Sequence, residues 1–139
     1  MKKVLIQLIA TPIIIFGIAN CGSKGGGGGG GGGNNEANLT ITLNPPANST
    51  QPAAPQSDFP LTVSITSTMP PQGVTIDVKV APDGSSTNFF TENRSSTSAN
   101  NNFTITGTPV GPVCVVTVTV TSKTKATNTV TASYRYSRK

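Results

Sequence analysis

The sequence contains few residues that could perform acid–base or nucleophilic chemistry. Histidine, the commonest acid/base at neutral pH, is absent. Hydrolysis by paired acids needs two carboxyl groups held close together, and nothing in the sequence brings two to one place. We therefore predict that the protein is not an enzyme and has no catalytic residues. The five carboxylates are scattered along the chain, at Glu36, Asp58, Asp77, Asp83 and Glu92.

Motifs for metal or phosphate binding are equally weak. The turn Asp83-Gly84-Ser85 offers fewer oxygen ligands than Ca²⁺ requires. The glycine run at residues 25–33 lacks the preceding strand, the Lys-Ser/Thr pair and the following helix of a phosphate-binding loop. We predict no metal site and no bound cofactor.

Cys114 lies in an alternating segment, which indicates where its thiol points. Cys114, Val116 and Val118 are spaced by two and therefore lie on the same face of the strand. We expect Cys114 to face inward with these valines and to fill space as a small apolar group. A reactive thiol would need a base or strongly positive surroundings, and the chain has no histidine. The alternation slips at Val115 and Val116, so a bulge that turns Cys114 outward is the alternative.

The N-terminus has the pattern of an export signal. Lys2 and Lys3 give a short positive start, and residues 4–19 are almost wholly apolar. A membrane-spanning helix needs about 20 apolar residues, whereas this run is shorter and contains Pro12. We predict a signal peptide over residues 1–20, and an uncleaved membrane anchor is the alternative.

The apolar run closes with Ile18-Ala19-Asn20-Cys21, which resembles the lipobox of bacterial lipoproteins, with Asn20 where that family prefers Gly, Ala or Ser. The resemblance implies that a diacylglycerol is attached to Cys21 and that the chain is cleaved between Asn20 and Cys21. The implied partner is the membrane, reached through this lipid.

The residues after Cys21 bear on which membrane that is. In two-membrane bacteria, an Asp directly after the lipidated cysteine favours the inner membrane, so Gly22 implies the outer membrane. Some surface-exposed lipoproteins carry an acidic cluster at this point, and residues 22–33 contain no acid. The resemblance therefore favours the periplasmic face over the cell surface.

Glycine dominates the next part of the chain, and a Gly-rich chain behaves as a flexible coil. For a stretch of this length the typical reach is on the order of 20 Å. We predict a lipidated tether over residues 21–37 and a folded domain over residues 38–139.

Apolar residues of the predicted domain alternate with Thr, Ser and charged residues. Strict alternation indicates strands with one buried and one solvated face. Two weaker strands are predicted over residues 87–92 and 103–106, and prolines and glycines lie between the runs. Seven short strands in about 100 residues predict an all-β protein with the fold of a β-sandwich. The five strictly alternating runs begin at Leu39, Leu61, Val74, Val116 and Val130.

The C-terminal stretch GPVCVVTVTVTSKTKATNTVTASYRY resembles the final hairpin of immunoglobulin-like and fibronectin type III-like modules of bacterial surface proteins. The resemblance implies an immunoglobulin-like β-sandwich of about seven strands. A disulfide of the antibody type is not expected, because residues 59–67 contain no cysteine. We expect a monomer.

Two segments could bind a ligand. Tyr134 and Tyr136 lie among positive charges, as in a sugar-binding or nucleic-acid-binding platform, but tyrosines spaced by two on a last strand favour core or edge positions. The loop at residues 92–102 could bind a ligand, and its Asn- and Ser-rich composition favours a solvated loop.

The charge balance does not indicate a polyanionic partner. The formal charge is +5, and two of these charges, Lys2 and Lys3, belong to the signal peptide. We predict no nucleic-acid partner. The predicted protein is a non-catalytic cell-envelope lipoprotein with a structural or interaction role. The alternative is an adhesion-type module that binds a glycan or a protein.

Overall fold

The computed structural model describes residues 35–139, which form an all-β domain of seven strands without a helix. The all-β fold follows from the alternation of β-branched apolar residues with Thr and Ser, because such residues suit a pleated surface with one buried face. The strands are β1 (Ile41–Asn44), β2 (Phe59–Ile65), β3 (Val74–Pro82), β4 (Phe90–Ser96), β5 (Asn100–Ile105), β6 (Val113–Ser122) and β7 (Thr129–Ser137).

The strands form two antiparallel sheets, with the orders β1-β2-β5 and β4-β3-β6-β7. The predicted all-β class and β-sandwich are confirmed. In a constant-type immunoglobulin domain the fourth strand belongs to the sheet of strands one, two and five. Here β4 pairs with β3 in the other sheet.

Inward side chains of both sheets form one hydrophobic core. Alternate residues of β3 and β6 are fully buried, as the period of two requires. The core consists of Leu39, Leu43, Phe59, Leu61, Val63, Ile65, Val74, Ile76, Val78, Val80, Phe103, Ile105, Cys114, Val116, Val118, Val120, Tyr134 and Tyr136.

The five strictly alternating runs lie in or beside strands β1, β2, β3, β6 and β7, as predicted.

The interpretation of residues 92–102 as a loop is wrong, because β4 and β5 extend into it and leave only residues 97–99 between them. Polar residues are accepted there because they face solvent and bond across the sheet: Thr62 Oγ1 donates to Asn102 Oδ1 over 2.9 Å, and Ser64 Oγ to Asn100 Oδ1 over 2.8 Å. The strand predicted over residues 87–92 begins later, at Phe90.

One end of the domain, called here the N-terminal end, carries the turns at residues 66–73, 97–99 and 123–128. The buried Asn128 holds the first described residues at this end. Its side-chain oxygen accepts from Leu39 N over 2.9 Å, and its amide donates to Ala37 O over 2.9 Å and to a carboxylate oxygen of Glu36. Ordered contacts of the domain therefore reach back to Glu36.

The opposite end, called here the distal end, carries the connections at residues 45–58, 83–89 and 106–112. Residues 45–57, called here the crossing segment, leave β1 and run beside the outer edge of β7. Gln51 N donates to Arg135 O over 2.8 Å, and Ala54 N donates to Ser137 O over 3.1 Å. The crossing segment thus covers the edge of β7, and its prolines keep it from becoming a full strand.

Candidate functional site

The distal end contains a cleft of about 260 Å³ between the crossing segment and the neighbouring ends of β1, β2 and β7. It exists because the chain leaves β1, crosses to β7 and returns to β2, and this path leaves a gap beneath it. Most of the groups that face the cleft are amides, proline rings and aromatic rings, and Thr62 and Ala54 complete the lining. The lining residues are Asn44, Pro45, Gln51, Pro52, Ala54, Gln56, Phe59, Pro60, Thr62, Tyr134 and Tyr136.

The two tyrosines of the cleft differ in hydrogen bonding. The Tyr136 hydroxyl shares a hydrogen bond of 2.8 Å with Thr108 Oγ1, and its ring lies 4.4 Å from that of Phe59. Tyr134 is 2 % exposed, and its hydroxyl has no hydrogen-bond partner among the described residues. An unpartnered buried hydroxyl costs about 1–3 kcal/mol, so Tyr134 is an unused donor in a well-packed site.

The residues that line the cleft carry no charge. Burial, together with the neighbouring Tyr136, raises the pKa of Tyr134 well above its usual value. Burial also raises the pKa of Tyr136 to about 12, against a smaller lowering by the bond from Thr108. Both phenols are therefore neutral at every physiological pH.

Three of the carboxylates form ion pairs, each with a different cation. Asp77 pairs with Lys79 over 2.8 Å, Asp83 pairs with Arg135 over 3.2 Å, and Glu92 pairs with Arg94. Asp83 belongs to an exposed turn. Within residues 35–139, no group of three or more side chains could hold a metal ion.

Cys114 faces inward, which confirms its predicted orientation. It is fully buried and unpaired, and burial raises the pKa of its thiol. Pairing with β7 runs without interruption from Val113 to Thr121, so the alternative of a bulge is wrong. The thiol donates a weak hydrogen bond from Sγ to the carbonyl oxygen of Pro112, at 3.7 Å. A thiol in this position packs as an apolar group.

The residues of the predicted cleavage and lipidation site, Asn20 and Cys21, lie outside the described residues. Their assignment remains a prediction from the sequence. No helix in the described part of the chain is long and apolar enough to span a membrane.

Tyr134 and Tyr136 do not form an exposed platform, because both rings are buried in the core. Sequence reasoning placed them there but missed the cleft above them. The proline-rich crossing segment was interpreted only as a connection between strands. Its glutamines, Gln51 and Gln56, were the available signal, since amides in a proline-rich loop are groups that can face a ligand.

The fold and cleft thus define a seven-stranded antiparallel β-sandwich with an uncharged cleft at one end. Comparison with known proteins gives no match to a family model, a curated protein or a solved structure.

Proposed function

We propose that this chain is a bacterial lipoprotein that presents one immunoglobulin-like β-sandwich in the cell envelope and acts by contact rather than by catalysis. The observation that carries the proposal is the sequence of Ile18 to Cys21, placed after a positive start and an apolar run and followed by a glycine tether. The lipid on Cys21 attaches the protein to the membrane, and the signal peptide is removed after Asn20.

The described contacts support this role. Asn128 holds Glu36 at the N-terminal end of the domain, whereas the cleft lies at the distal end. The cleft is therefore at the end of the domain opposite to the one that Glu36 occupies. The proposed location is the periplasmic face of the outer membrane, with the protein present as a monomer.

The proposed lack of catalysis rests on the surroundings of the groups that could react. Asp77, Asp83 and Glu92 are each engaged by a cation, and Cys114 is buried beside no base. The cleft offers amides and hydroxyls rather than an acid/base pair. Amides and hydroxyls can bind a ligand through hydrogen bonds without changing it chemically.

Replacing Cys21 with Ser tests the anchor. We expect the Cys21→Ser protein to lose all labelling by an alkyne fatty acid fed to the cells and to move from the membrane pellet to the soluble fraction, because hydroxyl oxygen does not accept the diacylglycerol. The control is Cys114→Ala, which removes the other cysteine of the chain. This control should keep its label and stay in the pellet.

A Cys21→Ser protein that sediments with membranes as completely as the unchanged protein would contradict the proposal. In that case residues 4–19 would be the uncleaved anchor. Proteinase added to intact cells separately tests the face of the membrane, because a periplasmic domain is cleaved only after the outer membrane is opened.

A further inference from the structure

We propose that the cleft at the distal end is a binding site for a single neutral sugar ring at the end of a glycan. This proposal gives a ligand class to the interaction role proposed above, on which it rests for its setting in the envelope. It depends on four features of the cleft: its size, its lack of charge, its mixture of polar and apolar groups, and the hydroxyl of Tyr134.

Size limits the ligand to something small. Pockets for drug-sized ligands measure roughly 300–1,000 Å³, and this cleft measures about 260 Å³. A single ring fits this volume, whereas a folded partner or a dinucleotide does not enter it. The rest of a glycan would remain outside the cleft.

The lack of charge excludes ionic ligands. A phosphate or carboxylate requires Lys, Arg or a set of backbone N–H groups, and Pro45, Pro52 and Pro60 supply no N–H. A metal cation requires carboxylate oxygens, and no carboxylate lines the cleft. A neutral ligand needs neither a cationic group nor a carboxylate in the cleft.

The mixture of groups fits a pyranose. Each hydroxyl of a sugar can donate and accept a hydrogen bond. The side-chain amides of Asn44, Gln51 and Gln56 can do the same, because each donates from its NH2 group and accepts at its carbonyl oxygen. Gln51 Nε2 already donates to Ser49 Oγ over 2.7 Å, which holds the amide in place and leaves its carbonyl oxygen free for a sugar hydroxyl. The apolar C–H face of the ring has proline and aromatic carbon to lie against.

Tyr134 lines the cleft, and its hydroxyl is a donor that no described residue uses. Its hydroxyl is buried without a partner among the described residues, whereas the hydroxyl of the neighbouring Tyr136 is satisfied by Thr108. A ring or hydroxyl oxygen of the sugar accepts the hydrogen bond from Tyr134, after a small movement of the lining side chains that exposes it. The donor stays protonated because burial raises its pKa.

The test is a titration of the full chain, purified in a detergent without a sugar headgroup, with glucose, galactose and N-acetylglucosamine, and with glucuronate as the charged comparison. Backbone amide shifts should change in a saturable way at Gln51, Gln56 and Thr62 with at least one neutral sugar and not with glucuronate. The Tyr134→Phe protein should bind about 2- to 12-fold more weakly, which is the effect of one hydrogen bond.

Thr119→Val is the control, because it removes a hydroxyl that bonds to Thr131 Oγ1 on the exposed side of β6 and β7, and neither residue lines the cleft. It should leave the sugar affinity unchanged, and Tyr134→Phe should not lower the melting temperature. The proposal is wrong if no neutral sugar shifts these amides at about 10 mM, a concentration ten times a Kd of about 1 mM. It is also wrong if Tyr134→Phe binds as well as the unchanged protein, or if glucuronate shifts these amides as strongly as the neutral sugars do. None of these results bears on Cys21, whose lipid is measured separately.

Discussion

Cys114→Asp is expected to leave no folded domain. The side chain at this position is fully buried between the sheets, opposite Pro82 on β3 and Tyr136 on β7. A carboxylate there loses its hydration, and the carbonyl oxygen of Pro112, 3.7 Å from Sγ, accepts hydrogen bonds and would repel it. The cost is comparable with the whole stability of a domain this size, about 5–15 kcal/mol.

Circular dichroism during heating measures this effect, with Cys114→Ala as the control. The alanine removes one buried sulfur, so we expect it to cost about 1–2 kcal/mol and to keep a cooperative transition. A maleimide should label Cys114 in the native Cys21→Ser chain far more slowly than in denaturant. Equal labelling rates in the two states, or a cooperative transition for Cys114→Asp near that of the unchanged protein, would contradict the inward packing of this thiol.

Gly73→Ala is expected to destabilise the domain by about 2–5 kcal/mol. Gly73 has a φ of +76°, in the left-handed region that costs other residues about 1–2 kcal/mol. A Cβ at Gly73 would also overlap the backbone oxygen of Ser96 and would lie 2.9 Å from Thr97 Cγ2. Such overpacking adds about 1–3 kcal/mol, because the backbone of β4 must shift.

Gly84→Ala separates the two contributions. Gly84 has a similar φ of +82°, but no atom lies within 4 Å of the position its Cβ would take. Its substitution should cost only the conformational part, about 1–2 kcal/mol. Denaturation by urea measures both variants. Equal costs for the two alanines would show that the close approach of Gly73 to Ser96 does not occur.

The sequence predicted the sandwich well where one face of a strand is buried and the other solvated. The segment of β3 from Val74 to Val80 and the segment of β6 from Val116 onward alternate without interruption, so their period of two is visible in the residue types alone. β4 and β5 were harder, because both lie at sheet edges and are rich in Asn and Ser. Their formation depends on pairing with β3 and β2, which is a tertiary property that local composition does not contain.

The cleft could not be predicted for a related reason. It is formed by the path of the crossing segment over β7, and the sequence of residues 45–57 shows only prolines and polar residues. The burial of Tyr134 followed from its place in the alternation. The absence of a partner for its hydroxyl depends on which side chains meet across the sandwich, and no sequence pattern gives that.

The mass of the mature N-terminus tests most directly whether the chain is a lipoprotein. The protein is extracted from membranes and digested, and its N-terminal peptide is analysed by mass spectrometry. We expect the first residue to be Cys21, with a diacylglyceryl group on its sulfur, and residues 1–20 to be missing. An N-terminal peptide that still contains residues 1–20, or one that begins at Cys21 with a free thiol, would contradict this expectation.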